Sequence, residues 1–257
     1  MPDPLFDLTG RVAIVTGGNG GLGRAVALGF RDRGARVAVT GRDAAKNAAV
    51  AAELGDDGIV VPMDLLDEDA VAGCVATTLE RLGRVDVLVN NAGDTWGARL
   101  PDFPTADWDA LVGAHLRGAF LCAKHASAPM MAAGEGGKII NVSSVFGLFG
   151  PPGMAHYASA KAGVLGLTRA LAVELAPHRI QVNCLVPGFF ETELALGNTS
   201  PGRREEVRRR TPAGRWGRPD ELVGAAVLLA SRGSDFITGA SLVVDGGYAV
   251  SERLLHD

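Results

Sequence analysis

Tyr157 and Lys161 stand four residues apart in a segment whose composition favours helix. In a helix both side chains lie on one face and reach a common point. A free phenol has a pKa of about 10, and a nearby cation favours the phenolate. Tyr157 would then donate a proton to a carbonyl oxygen, or take one from an alcohol, near neutral pH. Such a pair also arises by chance, so its meaning depends on the elements that position it.

A glycine-rich turn near the start of the chain is the first such element. Residues 16–23, Thr-Gly-Gly-Asn-Gly-Gly-Leu-Gly, follow the apolar, β-branched run 11–16 and precede residues 24–33, which favour helix. Glycines let the backbone approach a pyrophosphate, and the helix N-terminus supplies N–H donors and a positive dipole. A flexible surface loop is the alternative, but these flanks favour a dinucleotide-binding turn.

The end of the second predicted strand, residues 36–40, indicates which dinucleotide is bound. An acidic residue there binds the ribose 2′-hydroxyl of NAD, whereas this chain has Gly41 and Arg42. Gly41 leaves room, and Arg42 offers a charged, planar set of donors for a 2′-phosphate. The residues favour NADP(H), with NAD(H) as the alternative, because an exposed Arg42 paired with Asp43 fits the same sequence.

Strands and helices alternate along the chain. Repeated β-α units predict a parallel sheet with helices on both faces, which is the Rossmann-type, doubly wound α/β fold. Residues 1–257 are predicted to form one domain, in which the irregular, charged segment 189–211 is a mobile substrate lid. We predict strands at 11–16, 36–40, 58–62, 85–89, 138–142, 180–185 and 241–244, and helices at 24–33, 69–82, 108–133, 222–230 and after Tyr157.

The carboxyl ends of the predicted strands carry glycine or polar residues. In such a sheet these ends meet at one edge, and ligands bind there where the strand order reverses. We therefore expect one site built from the ends of several strands. The residues concerned are 16–23, Gly41, Arg42, Asp64, Leu65, 91–93, Ser144, Pro187 and Gly188.

Composition argues against several other classes of protein. The net charge of −4 argues weakly against nucleic-acid binding. Cys74, Cys122 and Cys184 are far apart, show no metal-ligand spacing and suggest a reducing compartment. The short acidic N-terminus does not resemble a signal peptide, and the longest apolar run, 222–230, is far shorter than a membrane span. We expect a cytoplasmic protein that binds neither metal, nucleic acid nor membrane.

Taken in order, the motifs resemble the short-chain dehydrogenase/reductase family, in its shorter, single-domain branch. The family's glycine pattern, Asn-Asn-Ala-Gly segment, Pro-Gly segment and C-terminal Asp-Gly-Gly are all present. Ser144 lies 13 residues before Tyr157, the family's usual interval. The resemblance covers nearly the whole chain, from about Leu8 to Tyr248. The matching positions are Gly17, Gly21, Gly23, 90–93, Ser144, Tyr157, Lys161, Pro187, Gly188, Thr192 and 245–247.

The resemblance implies hydride transfer between C4 of a nicotinamide and the carbon of a secondary alcohol or ketone. It implies that Tyr157 is the general acid in reduction and the base in oxidation, and that Ser144 donates a hydrogen bond to the substrate oxygen. It also implies that Lys161 binds the nicotinamide ribose and lowers the pKa of Tyr157. The candidate cofactor-binding residues are Gly17, Asn19, Gly21, Leu22, Gly23, Arg42, Asp64, Leu65, Asn91, Ala92, Gly93, Tyr157, Lys161, Pro187, Gly188, Phe190 and Thr192.

One position departs from the family pattern. Where relatives usually have Asn in the long helix, before Leu116 and Phe120, this chain has His115. In the family that Asn shapes the helix so that a backbone carbonyl holds a water touching the lysine. We predict that His115 supports this relay through its backbone rather than its ring; a packed helix residue is the alternative. The departure also leaves open a catalytically impaired protein that senses or binds NAD(P).

The substrate is expected to be a small carbonyl or alcohol compound. Segments 94–99, 145–156 and 189–210 should line its pocket, and their aromatic residues make the pocket fairly apolar. Residues 94–96 and 187–194 resemble 3-oxoacyl reductases, whereas 212–217 resembles sugar-acid dehydrogenases. The sequence leaves this choice open.

The helix after Tyr157 also predicts an assembly. Apolar residues lie on more than one of its sides, so one side is expected to need a partner; they are Val164, Leu165, Leu167, Leu171, Val173 and Leu175. Together with the family resemblance this predicts a homotetramer, or a homodimer, in which helix 108–133 is the neighbour.

Overall fold

The structure is a computed structural model and describes residues 5–251. Seven parallel strands form the sheet at its centre. They are β1 Val12–Thr16, β2 Arg36–Thr40, β3 Gly58–Val61, β4 Val87–Asn90, β5 Gly137–Val142, β6 Ile180–Pro187 and β7 Ser241–Val244. The strand order is β3-β2-β1-β4-β5-β6-β7. Successive strands are added on one side of β1 up to β3 and on its other side from β4 onwards, so the switch point lies between β1 and β4. The predicted doubly wound, Rossmann-type α/β fold with seven strands is confirmed.

Helices cover both faces of the sheet because alternate strand residues point to opposite sides. In β1, Ala13 and Val15 join the core on one face of the sheet, whereas Val12 and Ile14 join the core on the other face. The helices are α1 Gly21–Arg31, α2 Ala44–Leu54, α3 Glu68–Leu82, α4 Thr105–Val112, α5 Gly118–Ala133, α6 Ala155–Leu175, α7 Glu193–Gly197, α8 Pro201–Arg210 and α9 Val223–Ala230. None of the described helices combines the length and apolar character needed to cross a membrane.

The segment 189–211 is not irregular, which corrects the sequence-based expectation. It contains α7 and α8, and each begins at a side-chain cap: Thr192 Oγ1 accepts from the Ala195 N–H, and Ser200 Oγ accepts from the Arg203 N–H. These helices carry almost no apolar periodicity, since Val207 is the one buried residue of α8. Helix α2 was not predicted either.

The predicted helix 108–133 is present but contains a π-turn. Between α4 and α5, residues Gly113–Arg117 wind more widely, and the Gly118 N–H donates to the carbonyl five residues back, at Gly113. His115 lies inside this turn and is buried. Such turns frequently mark functional sites.

Candidate active site

Helix α6 places Tyr157 and Lys161 in its first two turns. Gly153, which has a positive φ of 76°, turns the chain just before the helix begins at Ala155. Lys161 Nζ lies 5.6 Å from the centroid of the Tyr157 ring and donates a 2.8 Å hydrogen bond to the Val142 carbonyl at the end of β5. The two side chains therefore share the helix face that looks onto the carboxyl edge of the sheet.

Burial dominates the acid–base properties of both groups. It raises the pKa of the Tyr157 phenol to about 12, and a side-chain hydrogen bond with Ser144 offsets part of this rise. It lowers the pKa of the Lys161 ammonium to about 8. The expected lowering of the Tyr157 pKa by Lys161 is not produced by the protein's own groups, because desolvation outweighs the nearby charge.

The two serines after β5 have different tasks. Ser143 Oγ donates to the Lys161 carbonyl over 2.8 Å and so ties α6 to the sheet. Ser144 Oγ accepts a 3.2 Å hydrogen bond from the Phe146 N–H. Since that bond uses a lone pair, the hydroxyl hydrogen of Ser144 remains able to reach Tyr157 or a substrate oxygen.

The glycine turn is locked against the segment that follows β4. Thr16 Oγ1 accepts from the N–H groups of both Asn91 and Ala92 at 3.0 Å, and the Asn91 amide donates to the carbonyls of Thr16 and Gly17. A Cβ at Gly17 would lie 2.8 Å from Ala92 Cα, and one at Gly23 would lie 2.3 Å from the Asn91 amide nitrogen. The turn is thus a close-packed cradle of backbone, which is what a pyrophosphate requires.

At the other end of the cleft the backbone of Gly41 is covered by Asn19. A Cβ on Gly41 would lie 2.0 Å from Asn19 Nδ2, which donates to the Asn47 side chain, and Asn47 in turn donates to the Gly41 carbonyl. The exposed side chain of Arg42 has no ion-pair partner among residues 5–251, because Asp43 instead caps α2 at the Lys46 N–H.

The segment after β6 closes the cleft from the opposite side. Thr192 lies beside the glycine turn, where a Cβ on Gly21 would be 3.4 Å from Thr192 Cγ2. Gly188 leaves no room for a side chain, since a Cβ there would be 2.6 Å from Asp245 Cβ. Phe190 departs from the expectation for its side chain, which is buried in the core rather than directed to the cleft.

The remaining candidate cofactor-binding residues lie at or near the carboxyl ends of the strands. Asp64 follows β3 and accepts from the Leu66 N–H, so its carboxylate shapes its own turn. Leu65 is half-buried against α5, and Leu22 is half-buried in the first turn of α1. Gly93 and Pro187 adjoin the cradle, Gly93 below His115 and Pro187 at the end of β6.

The ring of His115 is part of this site. Its Nε2 lies 2.7 Å from the Asp94 carbonyl oxygen, and its plane meets the Tyr157 ring edge to face at 5.3 Å. The ring fits because residue 93 is glycine; a Cβ there would lie 1.9 Å from His115 Cε1. Burial lowers the pKa of His115 to about 3, so the imidazole is neutral. The expectation that only the backbone of His115 matters is therefore incomplete.

Five aromatic side chains form a continuous wall beside Tyr157, here called the aromatic wall. Phe146 lies 6.4 Å from the Tyr157 ring and contacts both Phe149 and Phe189. The Arg210 guanidinium covers one outer ring, that of Tyr248, at 5.0 Å. The wall consists of Phe146, Phe149, Phe189, Trp216 and Tyr248.

Sequence reasoning did not predict the long-range side-chain contacts of several residues of the site. Thr16 and Ser143 act through buried hydroxyl contacts with distant segments, and Asn90 through its side-chain amide. Trp96, expected in the substrate pocket, instead packs on the His156 ring, with centroids 5.8 Å apart. Thr16 and Asn90 were recognised in the sequence as parts of the glycine turn and of the Asn-Asn-Ala-Gly segment, but no pattern in the sequence indicated which distant groups their side chains contact.

Comparison with known proteins decides the family. The profile of a family described as enoyl-(acyl carrier protein) reductase matches residues 17–249. A gluconate 5-dehydrogenase of Gluconobacter oxydans is 38% identical over 97% of this chain and 98% of its own length. The chain belongs to the short-chain dehydrogenase/reductase family. This short-chain dehydrogenase/reductase is an NAD(P)-dependent oxidoreductase that transfers a hydride between the nicotinamide and a secondary alcohol or ketone.

Two further short-chain dehydrogenases/reductases are similar to this chain over nearly its whole length. A 3-oxoacyl-[acyl-carrier-protein] reductase of Synechocystis is 39% identical over 93% of this chain and 97% of its own. The crystal structure of a gluconate 5-dehydrogenase from Burkholderia cenocepacia, in complex with NADP and tartrate, superposes with a TM-score of 0.91 at 38% identity, covering 96% of this chain and 98% of that one. The relatives thus include enzymes named for chemically different substrates.

Proposed function

We propose that this protein is an NADP(H)-dependent reductase in which Ser144, Tyr157 and Lys161 carry out the proton chemistry. The observation that carries the proposal is the placement of Tyr157 and Lys161 on one face of α6 above the glycine cradle. Lys161 Nζ lies 5.6 Å from the centroid of the Tyr157 ring. The cradle fits a dinucleotide because Gly17 and Gly23 let the turn pack directly against Asn91 and Ala92, with no side chain between them. When bound, the nicotinamide supplies or accepts the hydride.

The properties of the three side chains suit the direction of ketone reduction. With its pKa raised to about 12, Tyr157 stays protonated at physiological pH and is ready to donate. The Lys161 ammonium stabilises the phenolate that remains after the proton has left. Ser144 donates its free hydroxyl hydrogen to the substrate oxygen while negative charge develops there.

Preference for NADP(H) is proposed from the far end of the cleft. Asn19 occupies the space that a side chain at position 41 would need, so the site has no acidic residue to bind a 2′-hydroxyl. Arg42 is exposed and forms no ion pair within residues 5–251, which leaves its guanidinium available for a 2′-phosphate.

The aromatic wall favours a substrate with an apolar group beside the carbonyl, such as a 3-oxoacyl thioester. A sugar acid is the second candidate, because the buried Thr95 Oγ1 has no hydrogen-bond partner in the part of the chain that the structure describes, and a substrate hydroxyl would provide one. Medium-chain 3-oxoacyl thioesters, sugar acids and simple ketones, each assayed with NADPH and NADH, test both proposals. We expect the highest kcat/KM for a 3-oxoacyl thioester with NADPH; binding of NADPH without turnover of any of them would instead indicate a sensor.

We further propose one Rossmann domain with residues 189–211 as substrate lid, assembled as a homotetramer in the cytoplasm. Of the residues used to predict assembly, Val164, Leu165 and Leu175 are buried within the chain, and Val173 remains 78% exposed. Phe120 on α5, the helix expected to be the neighbour in the interface, is also exposed. Three unpaired buried cysteines suit a reducing compartment. A monomer by light scattering at micromolar concentration would refute the tetramer.

A further inference from the structure

The charged residues of α8 do not pair as their spacing suggests. Glu206 lies four residues before Arg210, an interval that favours an ion pair on a helix. In the structure Glu206 instead binds Arg203 at 2.6 Å, and Glu205 binds Arg208 at 2.5 Å. Arg210 makes the smallest of the contributions that lower the pKa of Glu206. Both acids of α8 are thus engaged elsewhere, and Arg210 has no ion-pair partner in the part of the chain that the structure describes.

Arg210 lies instead over a ring of the aromatic wall. Its guanidinium carbon is 5.0 Å from the centroid of the Tyr248 ring, and Tyr248 is buried. A cation over an aromatic ring is attracted to the ring electrons. The neighbouring Val207 and Thr211 are buried as well, so the end of α8 that carries Arg210 is anchored. The charge of Arg210 is therefore held at one end of the wall.

Asp245, the acidic residue closest to Tyr248 in the sequence, is also engaged. Its carboxylate accepts from the N–H groups of Gly247 at 2.8 Å and Ala249 at 2.6 Å, and so closes the turn that carries Tyr248. None of the N–H groups of Arg210 donates to another residue within 5–251. A guanidinium with unspent donors at a fixed place is suited to bind a carboxylate or a phosphate.

The aromatic wall leads from Arg210 to Tyr157. Between ring centroids, Phe189 lies 5.0 Å from Tyr248 and 5.6 Å from Phe146. The Phe146 ring in turn lies 6.4 Å from that of Tyr157. Phe146 and Phe189 are only half-buried, so apolar surface remains accessible along this path. An apolar chain can therefore lie on these rings between the phenol of Tyr157 and the guanidinium of Arg210.

We propose that the substrate is a ketone with an apolar arm that ends in an anion, and that Arg210 binds this anion. The proposal rests on the proposed function, because the keto group must lie at Tyr157. There the keto carbon receives the hydride and its oxygen receives the Tyr157 proton, which gives a secondary alcohol. The anionic end undergoes no bond change. A carboxylate and a phosphate ester both suit Arg210, since a guanidinium binds either through parallel N–H···O bonds.

Matched pairs of substrates test this anchor and distinguish the two anions. Linear oxo acids of increasing chain length, with the keto group next to the terminal methyl, are compared with their uncharged methyl esters. A medium-chain 3-oxoacyl phosphopantetheine is compared with the 3-oxoacyl pantetheine that lacks the phosphate. We expect the charged member of at least one pair to have a KM about fivefold lower than its neutral partner. The kcat should be the same, because the anion binds equally in the ground state and the transition state.

Substitutions on α8 assign this difference to one side chain. Arg210→Gln should raise the KM of the charged substrate to that of its neutral partner, and Arg210→Lys, which keeps the charge but not the planar donor set, should restore part of the difference. The matched control is Arg209→Gln, which removes the same charge from the adjacent residue. Arg209 is exposed and lies over none of the aromatic rings that the structure describes, so this variant should behave like wild type.

The anchor is refuted if every charged substrate has the KM of its neutral partner, if Arg210→Gln keeps the difference, or if Arg209→Gln abolishes it too. Calorimetry with a medium-chain fatty acid and its methyl ester, on the full-length protein with NADPH, gives a readout that needs no turnover. If no ketone is reduced, the proposed function fails, and calorimetry still decides the anchor. Tighter binding of the acid that is lost in Arg210→Gln supports the anchor, whereas equal binding of acid and ester refutes it.

Discussion

The two edges of the sheet treat buried polar groups in opposite ways. At the amino edge Asp86 is fully engaged, since it accepts from the Val12 N–H at 2.9 Å and from the side chains of Arg11 and Arg84. At the carboxyl edge lie all the buried side-chain atoms that lack a partner in the described residues. They belong to Asn90, Thr95, His115 and His156.

The contrast shows where this fold gives up stability for function. A buried polar group without a partner costs about 1–3 kcal/mol, so a sequence selected for stability alone would not collect such groups at one edge. They persist where a ligand or water provides the missing partner. Substitutions at the carboxyl edge should therefore change activity, and those at the amino edge should change stability.

The largest expected effect tests the carboxyl edge. Tyr157→Phe removes only the hydroxyl, so turnover should fall by about 10²–10⁴ because the proton donor is lost. Cofactor affinity and thermal stability should change little, since Lys161 and the glycine cradle remain. Steady-state kinetics, fluorescence titration with NADPH and a melting curve check these outcomes. Near-normal turnover would remove Tyr157 from its role.

Asp86→Ala tests the amino edge. It leaves the buried Val12 N–H without a partner and removes the three charged hydrogen bonds from Arg11 and Arg84, so the free energy of unfolding should fall by about 3 kcal/mol. The kcat and KM of the folded protein should stay at wild-type values. Chemical denaturation followed by activity assays measures both, with exposed Asp57→Ala as the control. A loss of kcat without a loss of stability would contradict the expectation that substitutions at the amino edge change stability rather than activity.

Arg42→Ala addresses the exposed end of the carboxyl edge. Affinity for NADPH should fall about ten- to a hundredfold because a charge-assisted hydrogen bond to the 2′-phosphate is lost, whereas affinity for NADH should be unaffected. Titrations with both cofactors measure the ratio, and Arg33→Ala, an exposed arginine away from the cleft, is the control. Equal losses for both cofactors would contradict the assignment.

The smallest effect is expected when the wild-type protein is studied as a function of pH, where cofactor affinity and stability should change in opposite directions. Burial lowers the pKa of Lys161 to about 8, so its charge is lost as the pH rises through that value, and cofactor affinity should fall about tenfold. Stability should move the other way between that pH and the ordinary lysine pKa, because the unfolded chain then binds more protons than the folded one. Parallel rises in affinity and stability would contradict the assignment of Lys161.

The sequence was sufficient for the elements but not for their long-range contacts. Periodicity and β-branched runs located all the strands, and spacing alone paired Tyr157 with Lys161. The π-turn was not predictable, since winding by one extra residue leaves no mark in a composition pattern. The contact of the His115 ring with the Tyr157 ring arises only when the π-turn packs against α6. Phe190 was misplaced because a strand end supplies both core and cleft residues.

Trp216 of the aromatic wall offers an optical test of the proposed lid, residues 189–211. Its indole N–H donates to the Arg204 carbonyl of α8 over 3.1 Å, and its ring lies 5.4 Å from Phe189. Any displacement of α8 would break that bond and change the polarity around the indole. Movement of the proposed lid should therefore shift the wavelength of Trp216 fluorescence emission. Replacement of Trp96 and Trp108 by Phe leaves Trp216 as the single emitter among the three tryptophans. If the proposed lid opens and closes, stopped-flow fluorescence of this variant would then follow its motion without an attached dye.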